Sequence, residues 1–378
     1  MFASRPIRAG ERMLEVPPSL MITSRSLQHE VARFLPAQAT EWSRLALFIL
    51  AQWNKGQNSA WDPYMGILPS LVELNNTVFW KQEELQCVRH SPVYFKTTQR
   101  ERWLDMEFSD VQSAISRCRH IFGETASYDA FKHAYSIVAT RSWRVTDICE
   151  LGMVPYVDLI NHDWKCESIL SHDPDKNCVV VIADRDYATG DEVFISYGQL
   201  PNVTLAVDYG FALSYNPFDE AEIWVTISPD DPLYDAKLDV FSRNKIKITE
   251  EEDGSMGKAF VIQDMNSNPN GIPPGLRSFA RVLCAKTPEE LERLDASSAG
   301  SGNFSWDQDN QHKDRCALLE ILSQLDNLIE KYVAADLAGD VHGIVHEPRR
   351  EMAKAILDGE LRTLRSGSSW LKSQLVNA

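Results

Sequence analysis

Ile195–Phe211 reads ISYGQLPNVTLAVDYGF. Two Tyr-Gly units bracket an Asn-centred turn and a short amphipathic segment. The first closes DEVFISYG (residues 191–198), where Val193, Ile195 and Tyr197 alternate with Phe194, Ser196 and Gly198, a period of two that predicts a strand. Upstream lies DLINHDWK, Asp158–Lys165, an apolar run that breaks into Asn161, His162 and Asp163. We read that polar cluster as buried at a strand end. Metal ligation, acid–base catalysis, cofactor binding and capping are all open to such a cluster.

Metal ligation is disfavoured by spacing. His162, Cys166, His172 and Cys178 stand four, six and six residues apart, unlike common zinc sites, and Cys178 heads the apolar run NCVVVIADRD. No cysteine sits in a recognisable nucleophile context.

The rest of the chain gives context. Its 378 residues are too many for one ordinary core. A composition of 44% hydrophobic and 24% charged residues is that of a globular protein. No apolar run approaches the roughly 20 residues needed to span a bilayer. The net charge of −16 disfavours nucleic acid, which is held by Lys and Arg, and suits a basic protein segment. The seven cysteines are odd in number, spread out and without a CxxC pair, which predicts free thiols in a reducing compartment.

Residues 2–16 read as a β-hairpin turning at Ala9-Gly10 and stopped by Pro17-Pro18. From about Leu27 to Tyr135 the pattern is mostly helical. WSRLALFILAQWNKG (42–56) predicts a buried helix that stops at Gly56. Strands follow between Val154 and Trp224, with EIWVTIS (222–228) as the last. Helical stripes return in 317–333 and 351–367. TEEEDGSMGK (249–258) and DASSAGSGNFSWDQDNQHKD (295–314) read as surface loops.

VPYVDLINHD (154–163) together with ISYG…N…DYGF resembles the core of SET-domain methyltransferases, in the branch of the plant Rubisco large-subunit lysine methyltransferase. TRSW (140–143) is similar to the segment preceding that family's Asn-His motif. SAWDPYMGILP (59–69) resembles the W-x-P-Y-x-x-x-L-P signature of its helical insert. DDPLYDAKLDV (230–240) and IPPGLRSFARVL (272–283) resemble its C-terminal substrate-binding domain, and ILDGELRTLRSG (356–367) the end of plant and algal members. NHD and YGF say little alone; five segments in order say much.

The resemblance implies an α+β fold. A SET domain of short twisted β-sheets would occupy residues 1–227, with a helical insert at about 25–136. An all-α substrate-binding domain would follow over 228–378. It implies S-adenosylmethionine as cofactor, no metal, and methyl transfer to a protein lysine by alignment and electrostatics. By the same resemblance Asn161 and His162 hold the cofactor and Arg141 meets its carboxylate. Tyr197 is catalytic and also touches the cofactor, as does Phe211. Trp143, Asp158 and Tyr209 surround the substrate lysine. The implied partner is a protein such as Rubisco large subunit or aldolase, with no nucleic acid or membrane, and the chain would act as a monomer. The compartment would be the chloroplast stroma if an upstream segment carries a transit peptide, and otherwise cytoplasm or nucleus.

Two departures mark the match. Asp163 stands where the family commonly has Ser or Thr. The family's glycine-containing turn, which would precede Met1, is not in the sequence, so the chain reads as a fragment. Two other readings are carried: an inactive SET scaffold that binds a protein partner, and a protein-histidine methyltransferase. Against the latter, the histidine enzymes carry Asn at the position of Trp143. A histone-type enzyme with a zinc-binding tail is disfavoured, because the first cysteine after Phe211 is Cys284.

Overall fold

The computed structural model describes residues 1–124, 126–145, 150–250, 254–297, 311–337 and 340–377. Its contacts form two compact units. The first comprises Met1–Trp80, Lys96–Leu200 and Thr204–Phe211; the second comprises Lys81–Phe95, Pro201–Val203 and Ala212–Ala378.

The first unit joins a helical layer to several very small sheets. Its central helix, Glu41–Lys55, begins where the Thr40 side chain accepts from the Ser43 N–H and ends at Gly56, whose φ of +51° favours glycine. Leu45 to Gln52 are all buried, as the apolar run predicts. This helix packs on Tyr128–Arg141. That second helix passes straight into the strand Ser142–Val145, so Arg141 and Trp143 sit two residues apart at a helix–strand junction.

Three sheets or ladders carry the site. Arg12–Val16, Cys178–Ile182 and Leu170–Asp173 lie side by side, all antiparallel. Ile22–Thr23, Glu150–Met153 and Ser142–Val145 form another antiparallel set. Asn161–His162 runs parallel to Phe194–Ile195. Val154, Val157, Ile160, Val179, Val181, Val193 and Ile195 close a core beneath them, and Trp143 and Tyr197 pack against it.

The N-terminal hairpin expected over residues 2–16 does not form. Residues 2–7 bond instead to 187–192, with Ile7 and Tyr187 exchanging N–H···O bonds of 2.9 and 2.8 Å, while 12–16 pairs with 178–182. Ala9-Gly10 turns as expected, at φ +82° for Gly10, but the strands it joins have other neighbours. The strand expected over 191–198 is reduced to a two-residue ladder at 194–195.

The second unit is not all-helical. Glu220–Ile227, Met256–Gln263 and Thr249–Glu250 form a three-stranded antiparallel sheet with Met256–Gln263 in the middle. Strand 220–227, assigned above to the first domain, belongs here. The middle strand escaped sequence reading because Gly257 and Lys258 blur the Phe260/Ile262 alternation. Gly257 is needed where it is: a Cβ there would lie 2.6 Å from Thr226 Cγ2. Helices Tyr234–Arg243, Pro274–Cys284, Pro288–Ser297, Gln311–Leu337 and Glu347–Asn377 belong to this unit, as does the short Gln82–Gln86, and its core holds Phe241, Phe279, Ile262, Ile321 and Leu364. Most of the expected loop 295–314 lies outside the described residues, as does 251–253. No helix of the described residues is long and apolar enough to cross a membrane.

Candidate active site

The candidate residues come from four stretches of chain, and most of them converge. Tyr197 is the hub. Its ring stacks on His162 at 5.1 Å and on Tyr209 at 5.1 Å, and makes a T-shaped contact with Trp143 at 5.1 Å. Phe211 stands 6.3 Å from both tyrosines and 6.2 Å from His162. Five aromatic rings therefore surround one point. Edge and offset contacts of this kind add about 0.5–1.5 kcal/mol per pair and resist rearrangement.

Two hydrogen bonds fix the hub. The Tyr197 hydroxyl donates to the Ile160 carbonyl at 2.8 Å, and the Tyr197 N–H donates to His162 Nδ1 at 3.0 Å. The second bond leaves a neutral His162 ring with its hydrogen on Nε2. Burial pushes the His162 pKa below its ordinary value, which favours that neutral ring. Burial also pushes Tyr197 and Tyr209 up to about 12, so both phenols keep their protons through the physiological range.

Beside the rings lies a buried carboxylate. Asp158 follows Tyr156, whose φ of +71° is rare for a bulky residue and costs on the order of 1–3 kcal/mol. The bend turns Asp158 inward, with its side chain 0% exposed. Tyr64 donates to Asp158 Oδ2 at 2.6 Å. Arg141 Nη1 donates to the Asp158 carbonyl at 2.9 Å and approaches Oδ2 at 3.5 Å. Burial raises the Asp158 pKa against the opposing pull of Tyr64 and Arg141. Asp158 Oδ1, Trp143 Nε1 and Ser142 Oγ are buried without a hydrogen-bond partner among the described residues. Unpaired buried polar atoms are rare and gather where a ligand completes the shell.

Asn161 departs from the buried cluster read from the sequence. Only His162 of the three is buried; Asn161 is exposed and donates to Glu192 Oε1 at 2.7 Å, and Asp163 accepts from Arg185 at 3.0 Å. The parallel pairing of 161–162 with 194–195 explains the alternation: adjacent ladder residues point to opposite faces. The His/Cys quartet does not converge. Cys166 donates to the Phe194 carbonyl at 3.2 Å and His172 meets Asn177 at 3.1 Å. Among the described residues no group of three or more His, Cys, Asp or Glu could hold a metal ion.

Sequence reading missed two contributors. Tyr64 was visible only as part of W-x-P-Y. Asn76 gave no signal; it is buried, and its Nδ2 donates to the carbonyls of Val207 at 3.3 Å and Asp208 at 2.8 Å. Those carbonyls belong to the π-helical turn Leu205–Tyr209, so Asn76 holds the turn that carries Tyr209. Gly210, at φ +78°, ends it, and a Cβ there would lie 2.8 Å from the Asn76 N.

Small sheets threaded by Asn-His and Tyr-Gly segments, with a tyrosine at their hub, make up the site. Residues 1–198 match the family described as SET domain, and the chain belongs to that family. Residues 228–340 match the Rubisco LSMT substrate-binding family. The chain is 26% identical over 343 residues to the actin-histidine N-methyltransferase of Mus musculus, covering 84% of this chain and 55% of that protein. It is 25% identical over 384 residues to the chloroplastic [fructose-bisphosphate aldolase]-lysine N-methyltransferase of Arabidopsis thaliana, covering 97% and 75%. Against the chloroplastic Rubisco large subunit N-methyltransferase of Nicotiana tabacum it is 26% identical over 295 residues, covering 75% and 57%. The chain thus spans little more than half the length of several curated relatives. Its fold matches the crystal structure of the SET domain of LSMT bound to lysine and AdoHcy, with a TM-score of 0.73 and 24% identity over 100% of this chain and 85% of that one.

Proposed function

We propose that this chain is an S-adenosylmethionine-dependent protein N-methyltransferase that acts on the ε-amine of a lysine in a non-histone protein. The observation that carries the reading is the five-ring cluster around Tyr197, with its hydroxyl tied to the Ile160 carbonyl.

The residues present fit the cofactor. Aromatic faces favour a cationic sulfonium. Asp158 Oδ1 and Trp143 Nε1, buried without a partner among the described residues, leave polar valences beside them. When bound, S-adenosylmethionine would supply an electrophilic methyl group. Arg141 and His162 would hold it, the guanidinium against a carboxylate and the His162 Nε2–H against a polar edge, and Asn161 would join them from the exposed face, where its amide donates to Glu192. Phe211 would cover it. Trp143, Tyr209 and Asp158 would line the approach of the substrate amine. Tyr197, neutral because burial holds its pKa near 12, is no base in this scheme. Its hydroxyl and the Ile160 carbonyl orient the reacting groups, and the rings exclude water. Alignment in a dry site accounts for most of the acceleration such transfer needs.

Trp143 favours lysine over histidine. An indole in T-shaped contact with Tyr197 lines the site with a broad apolar wall, which suits a slender alkyl amine. The second unit would dock the substrate protein, with Rubisco large subunit and aldolase as the first candidates and the chloroplast as the corresponding compartment. The experiment is incubation with methyl-labelled donor and purified Rubisco, aldolase or actin, followed by mass-spectrometric mapping. Label on a lysine supports the reading. Label on an actin histidine supports the histidine alternative, and failure of the chain to bind the donor supports the scaffold.

A further inference from the structure

Tyr64 lies far from the Asn-His and Tyr-Gly motifs in sequence, yet it makes one of the shortest bonds at the site. It sits in the single turn Asp62–Met65 and is itself buried, with edge contact from Trp61 at 6.3 Å. Its hydroxyl reaches Asp158 Oδ2 at 2.6 Å, a length expected of a phenol bonded to an ionised carboxylate. The same aspartate receives Arg141 on its carbonyl at 2.9 Å, and its other oxygen has no partner among the described residues. Tyr64, Asp158 and Arg141 are therefore a chain of three groups, with the arginine at one end.

We propose that Tyr64 is a positioning residue of the donor site: its phenol holds the Asp158 carboxylate ionised and oriented, and Asp158 in turn aims the Arg141 guanidinium at the carboxylate of the methyl donor. The proposal rests on the methyltransferase reading above. A carboxylate with no exposed side-chain surface protonates unless donors compensate. The groups facing it are Tyr64 from the Asp62–Met65 turn, Arg141 from the Tyr128–Arg141 helix and the neutral Tyr197. Arg141 is 3.5 Å from Oδ2, too long for a strong bond, so the Tyr64 hydroxyl is the stronger of the two donors. Protonation of Asp158 would remove the ion pair with Arg141 at 3.5 Å and leave the guanidinium held by the Asp158 carbonyl at 2.9 Å alone.

The test is calorimetric binding of S-adenosylhomocysteine between about pH 5 and about pH 8, on wild type, Tyr64→Phe, Asp158→Asn and the double variant. Tyr64→Phe deletes one oxygen and keeps the ring, so a thermal melt should show a folded protein. Its donor affinity should fall about tenfold near neutrality. The acid limb of binding should move up by about one pH unit, because loss of a hydrogen bond to the charged form raises the carboxylate pKa. In the Asp158→Asn background Tyr64→Phe should change neither affinity nor the limb. Wild type that binds, with Tyr64→Phe binding equally at every pH, overturns this proposal and leaves the methyltransferase reading intact. A Tyr64→Phe effect that persists in the Asp158→Asn background also overturns it, since the tyrosine would then act directly. Wild type that binds no S-adenosylhomocysteine overturns the underlying reading itself.

Discussion

Tyr197 is held from several sides, and that is what makes it testable. Trp143, His162 and Tyr209 fix its ring, so Tyr197→Phe should still pack. Losing the 2.8 Å bond to Ile160 should cost about 1 kcal/mol of stability. Transfer should fall on the order of a hundredfold, the usual consequence of a misaligned reacting group. With the Tyr197 pKa near 12, the rate should rise smoothly with pH as the substrate amine, with an ordinary pKa of about 10.4, loses its proton. A break near pH 7–8 that disappears in Tyr197→Phe would refute a neutral tyrosine. His162 gives the opposite kind of signature. Burial depresses its folded pKa, so the unfolded chain, whose imidazole titrates near about 6.5, takes up the proton first. Stability from this group is therefore complete above about pH 6.5 and is lost as pH falls through the folded value. Melting of wild type should drop as pH falls below about 6.5 more steeply than melting of His162→Gln. At this scale the sequence was most legible. Motif residues Arg141, Trp143, Asp158, His162, Tyr197, Tyr209 and Phe211 do come together. The burial expected of Asn161 does not hold, because a two-residue ladder sends it to the exposed face.

Elements differ in how much of themselves they announce. The Glu41–Lys55 helix was readable from its apolar run, and it stops at Gly56 as expected. The strand expected over 222–228 forms over Glu220–Ile227, buried at every second residue. The turn Leu205–Tyr209 was not, because its shape depends on Asn76, more than a hundred residues away. Gly210→Ala tests that element. The substitution forces a side chain into φ +78° and sets its Cβ 2.8 Å from a backbone nitrogen, so a loss of about 1–3 kcal/mol is expected. Transfer should fall further than stability alone explains, because Tyr209 and Phe211 flank Gly210. Asn76→Ala should weaken the same turn by about 1–3 kcal/mol through the two carbonyls left without their donor. Thermal melts beside single-turnover assays read both, and unchanged melting in either variant would show that the turn holds itself.

For the chain as a whole, the fold class was legible and the strand partners were not. Residues 2–16 pair with residues about 170 positions later, and no local pattern records such a choice. The sheet of the second unit was hidden by one obligatory glycine and its lysine neighbour. Charge acts at this scale too. With a net charge of −16, the chain should bind basic protein segments more weakly as salt rises, raising KM for a protein substrate while leaving kcat near its low-salt value. An unchanged KM across that range would place recognition in apolar contacts instead. The central claim is that the rings around Tyr197 align a donor methyl with a lysine amine. Single-turnover transfer from methyl-labelled S-adenosylmethionine to a protein substrate, run on wild type and on Tyr197→Phe of equal melting temperature and equal donor affinity, tests it most directly. The account predicts label on a lysine with wild type and about a hundredfold less with the variant. Equal labelling by both would contradict it.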